Sequence, residues 1–112
     1  MNIPIAAVTM IQELIVCLVR KDYQGIAMRG WLGRLTIREL EDAVMSYGRE
    51  LTLPSEGFLD RTDVYELDDG AGWSLDVPLW TLEEGLSDLT LSLDLKSDSD
   101  GLTLGISDLH VL

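Results

Sequence analysis

The chain has 112 residues, enough for one domain with its own core and too few for two. Hydrophobic residues make up 46% and charged residues 25%, the balance of a folding chain rather than a disordered one. A formal net charge of −12 argues against binding to nucleic acid or an anionic membrane, and the single cysteine, Cys17, excludes an intrachain disulfide or a cysteine-built metal cluster.

The charge is unevenly spread. Residues 1–55 carry six acids and six bases, whereas residues 56–112 carry fourteen acids against Arg61 and Lys96 alone, so the second half holds the whole imbalance. Such a field attracts a basic partner and makes association fast and salt-sensitive. One cysteine fits a reducing compartment. The apolar start (Ile3 to Ile11) lacks the basic region and cleavage site of a secretory signal. Gln12 and Glu13 interrupt it well short of the ~20 apolar residues of a membrane span. The expectation is a cytoplasmic single domain, residues 1–112, with a buried first helix.

Residues 5–21 read as that helix. Val8, Ile11, Ile15, Leu18 and Val19 follow the three-four spacing, Pro4 suits the first turn, and Arg20 and Lys21 suit the negative C-terminal end. Cys17 lies in the apolar segment and reads as a small buried hydrophobe rather than a nucleophile. Residues 22–35 read mostly as loop, with at most a helical turn near 24–28. Thr36-Ile37-Arg38-Glu39 has the capping-box form and opens a helix over 37–47, ended by Gly48.

After Pro54 the period changes to alternation. Val64–Leu67 reads as a short strand closed by the turn residues 68–72. Trp73, Leu75, Val77 and Leu79 then alternate with Ser74, Asp76, Pro78 and Trp80, as Leu89, Leu91, Leu93 and Leu95 do with Thr90, Ser92 and Asp94, and Leu102, Leu104 and Ile106 with Thr103, Gly105 and Ser107. Leu109 and Val111 are out of phase with Ile106, which predicts a bulge near Ser107-Asp108. The fold class is therefore α+β: two N-terminal helices packed on one face of a four-stranded antiparallel meander. The other face is polar and negative.

Few residues point to chemistry. Asp98-Ser99-Asp100-Gly101 resembles part of a calcium loop, but that pattern would place Lys96 and Ser107 where acids are required, so a hairpin turn explains it better. His110 has no nucleophile placed beside it by sequence. Glu83, Glu84 and Asp88 form a carboxylate cluster that reads as a solvated loop. Trp80 has two readings: alternation puts it on the acidic face as an anchor, while Pro78 can break the alternation and leave it tucked under residues 81–88. No phosphate-binding glycine loop, zinc spacing or basic-aromatic patch is present, so no catalytic residue, metal ligand or cofactor is assigned.

The stretch Trp73-Ser-Leu-Asp76-Val77-Pro78-Leu79-Trp80-Thr81, followed by Glu83-Glu84-Gly85-Leu-Ser87-Asp88-Leu89-Thr90-Leu91, resembles a family of small uncharacterised bacterial proteins that share this block. The likeness extends to Gly33–Thr36, Tyr47–Arg49 and Asp108–Leu112. It implies no catalytic residues. In size and acidity the chain is also similar in character to immunity proteins of bacterial toxin–immunity systems, which neutralise cationic toxins, often nucleases, by covering them.

These readings give one leading expectation and two competitors. The first is a non-enzymatic immunity protein that occludes a basic, nuclease-type toxin through Asp76, Trp80, Glu83, Glu84 and Asp94, with Glu66, Asp68 and Asp69 at the rim. The second is a small enzyme or ligand-binding domain with a pocket between helices and strands, drawing on Tyr23, Tyr47, Asp76 and His110. The third is self-association, in which Leu109–Leu112 pairs as an edge strand with a twin chain to make a homodimer.

Overall fold

The computed structural model describes residues 3–55, 57–68 and 70–112. Three helices come first: α1 (Ile5–Val19), α2 (Tyr23–Met28) and α3 (Ile37–Tyr47). Five strands follow: β1 (Leu51–Thr52), β2 (Asp63–Glu66), β3 (Gly72–Thr81), β4 (Gly85–Asp98) and β5 (Gly101–Val111), with a 3-10 turn at Phe58–Arg61. All pairings are antiparallel. β4 lies between β3 and β5, and the outer edge of β3 is shared by β2 at one end and β1 at the other. The α+β class holds.

Four details differ from the sequence reading. α1 ends at Val19 rather than residue 21, because Lys21 adopts a left-handed conformation (φ 59°) that stops the helix. Residues 23–28 form a complete short helix, making three helices; the Asp22 carboxylate accepts from the Gly25 N–H at 3.0 Å and supplies the cap. β2 runs one residue earlier than Val64–Leu67, and β1 adds a two-residue strand too short to show periodicity. α3 matches its expected span. Thr36 and Glu39 form the reciprocal cap at 3.0 and 3.1 Å, and Gly48 ends the helix at φ 74°.

The leucine face of the sheet carries the core. Leu75, Val77, Leu91, Leu93, Leu95 and Ile106 are fully buried there, joined by Ile11, Leu14 and Leu18 of α1, Ile26 of α2 and Leu40 of α3. Cys17 is buried among them, as expected. Hydrophobic burial of this kind is the main stabilising term.

Two bulges shape the sheet. One falls between Ser92 and Leu93 of β4, where β5 inserts an extra residue between Ile106 and Asp108, as the phase shift predicted. The other lies at Leu79, where β4 sets three residues, Ser87 to Leu89, against one; the Ser87 hydroxyl closes it by donating to the Leu79 carbonyl at 2.8 Å and accepting from the Leu89 N–H at 3.2 Å. Pro78 sits between the stretches of β3 paired with β2 and with β1. Its missing N–H would face that open edge, the one place in the strand where proline costs no ladder bond.

The segment after α2 crosses the outer edge of β5. Ile106 donates to the Trp31 carbonyl at 3.0 Å, and Arg34 donates to the Ile106 carbonyl at 2.9 Å. Gly33 makes the approach possible: φ is 58°, and a Cβ there would lie 2.6 Å from the Ile106 nitrogen and 3.0 Å from the Gly105 carbonyl carbon.

Candidate binding face

The sheet face opposite the core collects the acids. Antiparallel register places Asp63, Asp76, Ser92 and Asp108 side by side across β2, β3, β4 and β5. The next row holds Tyr65, Ser74, Asp94 and Gly105, and the row on the other side holds Pro78, Thr90 and His110. Alternation puts these on one face because successive side chains point to opposite sides. Three aspartates thus share one row, with Asp94 one row away. The Asp76 carboxylate accepts from the Ser92 hydroxyl at 2.7 Å, which orients it. Arg34 reaches over from the 31–34 segment and sits 3.7 Å from the Asp94 carboxylate. With the side chains 76% and 40% exposed, that pair is a screened surface contact.

The expected site residues separate in the structure. Asp76 and Asp94 lie on this face. Glu66 does not: it pairs with Trp73, on the leucine-face phase of the strand, and is exposed at the strand end. Asp68 is exposed in the β2–β3 turn, and Asp69 lies outside the described residues. Asp63 and Asp108 join the face, although neither belonged to the expected set. Both were readable in principle: Asp63 alternates with Val64, and Asp108 comes into phase once the bulge is counted.

Glu83 and Glu84 have structural work instead. The Glu84 carboxylate accepts from the Tyr47 hydroxyl at 2.7 Å and the Thr81 hydroxyl at 3.0 Å, with Arg49 4.0 Å away. Glu83 accepts from the Glu50 N–H at 3.0 Å. Together they fasten the β3–β4 turn to the end of α3 and the start of β1. Desolvation, followed by the bond to Glu84, raises the Tyr47 pKa above its ordinary 10.0. Both acids stay exposed, as a solvated loop implies; what the sequence did not show is their partners, which lie 33 and 37 residues away.

Trp80 falls between its two readings. It pairs with Thr52 and Leu86 on the acidic-face side and is partly buried. Its ring passes the turn at Gly85, where a Cβ would lie 3.9 Å from it, and its Nε1 is buried without a partner. Leu86 beside it is 38% exposed, so the acidic rows end in an apolar corner.

The four residues of the enzyme reading do not gather. Tyr23 is buried with the core on the helix side, Tyr47 is bound to Glu84, and Asp76 and His110 stand on the opposite face. Burial, then the charge of Glu41, raises the Tyr23 pKa. A cleft of about 380 Å³ does open between α1 and residues 53–55 and 57–58, lined by Ile15, Val16, Leu53, Pro54 and Phe58 with Gln12, Ser55 and Gly57. Among the described residues, no group of three or more His, Cys, Asp or Glu is arranged to hold a metal ion, and no helix is long and apolar enough to cross a membrane.

No curated protein and no solved structure matches this chain. The model of a domain-of-unknown-function family, DUF7668, matches residues 15–112, from the later part of α1 onward. The chain belongs to the DUF7668 family.

Proposed function

We propose that this protein is an acidic binding module, an immunity protein of the bacterial cytoplasm that neutralises a basic, nuclease-type toxin by covering it. The observation that carries this reading is the open sheet face with Asp63, Asp76 and Asp94 in adjacent register, backed by a chain whose second half holds all of the net charge. A nuclease surface that grips phosphates with Lys and Arg is the complementary chemistry. The contact set is Asp63, Asp76, Asp94 and Trp80, with Asp68 at the rim; Glu66 of the expected rim stands on the other phase of β2. Glu83 and Glu84 support this surface by fixing the turn beside Trp80. The mechanism is occlusion, and the inhibitor performs no reaction.

The test is capture from a lysate of the source bacterium at low and high salt, with wild type and an Asp63→Lys/Asp76→Lys/Asp94→Lys variant in parallel. A single basic protein that the wild type holds at low salt, that the variant fails to hold, and whose toxicity is suppressed by co-expression supports the reading. Equal capture by both proteins overturns it.

The apolar cleft beside α1 favours a second reading, a small ligand-binding domain. Apolar-fluorophore binding that Val16→Trp abolishes would support it. Its charge field would then serve solubility alone.

A further inference from the structure

β5 is an edge strand, and edge strands recruit other chains unless something stops them. Its pattern of outward groups follows from two fixed points. Ile106 bonds outward to the 31–34 segment, so Leu102 and Leu104 also direct their backbone groups outward. Beyond the bulge, Leu112 donates inward to the Asp88 carbonyl at 3.0 Å, so Leu109 and Val111 face out. Val111 and Leu112 are 56% and 80% exposed, which leaves an apolar, open end to the strand of the kind that pairs with a copy of itself, while the Leu109 side chain is buried. The outward N–H of Leu109 is already taken, however. Asp108 Oδ1 accepts it at 2.9 Å. The other carboxylate oxygen, Oδ2, lies 3.1 Å from His110 Nδ1 without hydrogen-bond alignment.

We propose that Asp108 guards the free edge of β5 against pairing with a second copy of this chain. The guard acts in two ways. Its oxygen occupies the first donor that an incoming strand would need. Its charge also faces a twin whose 108–112 segment carries the same aspartate, because two-fold pairing brings like segments together. The bulge at Ser107 and the Trp31–Arg34 crossing protect the neighbouring stretch, leaving Asp108 to protect the rest.

Amide hydrogen exchange on the wild-type protein gives the first test. Leu109 and Val111 both face outward, but only Leu109 is capped. Its amide should exchange at least ~10-fold more slowly than that of Val111. Equal exchange overturns the proposal without any variant. Sedimentation velocity over a wide concentration range gives the second. Wild type should stay monomeric and Asp108→Ala should associate as concentration rises, while Asp108→Asn, which keeps the oxygen acceptor but loses the charge, should associate less than Asp108→Ala. A monomeric Asp108→Ala, or an Asp108→Asn that associates equally, overturns the guard.

Discussion

Replacing Gly33 by alanine should unfold the protein more readily than any other single methyl group added at a surface turn. Two costs combine. The left-handed conformation at φ 58° is one that an L-residue adopts at about 1–2 kcal/mol. The added carbon also meets the backbone of Gly105 and Ile106, which cannot rotate away as a side chain would. The 31–34 segment must therefore withdraw and stretch or break its two bonds to Ile106, each worth about 0.5–1.5 kcal/mol. The sum is about 2–5 kcal/mol. Gly30 supplies the control, since its φ of 76° carries the same conformational cost and nothing lies within 4 Å of a Cβ there. Gly30→Ala should thus lose only about 1–2 kcal/mol. Urea unfolding followed by tryptophan fluorescence and far-UV circular dichroism measures both. Equal losses for the two variants would refute the claim that close approach to β5 is what Gly33 provides.

Other substitutions test other joints of the fold. Leu93→Ala, in the middle of β4 and fully buried, should cost about 2–5 kcal/mol in the same urea experiment. Thr36→Ala removes half of the α3 cap and should cost about 1 kcal/mol. A double-mutant cycle of Tyr47→Phe and Glu84→Gln should give a coupling of about 1 kcal/mol, and additivity would mean that the clamp is not formed in solution. The raised pKa of Tyr47 also sets an alkaline limit. A proton held more tightly in the folded state stabilises fully below pH 10, and that stability is lost as pH rises through the folded value. Unfolding midpoints should fall in that window for wild type and fall less for Tyr47→Phe.

What could be read from the sequence was whatever had a period or a local cap. The leucine alternation revealed β3, β4 and β5 and the bulge in β5, and Thr36 with Glu39 revealed α3 to its last residue. What escaped depended on contacts distant in the chain. β1 is two residues long and exists because Leu51 and Thr52 meet Thr81 and Trp80. α2 holds a glycine at its third residue and is only six residues long, so its Asp22 cap and its packing decide it rather than propensity. The same holds for the site. Asp76 and Asp94 followed from alternation, whereas the diversion of Glu83 and Glu84 into a clamp needed the positions of Tyr47 and Glu50. Arg34 as the cation beside Asp94 needed the crossing of β5, which nothing local announces.

If an open acidic sheet face draws in and covers a basic partner, the association rate reports it first. Stopped-flow or surface measurements of binding to the captured partner, from low to high ionic strength, compare wild type with Asp63→Lys/Asp76→Lys/Asp94→Lys. The wild-type rate should fall steeply with salt, and the variant rate should be at least ~10-fold lower at low salt with a much flatter dependence. Identical rates and salt slopes for the two proteins would contradict it.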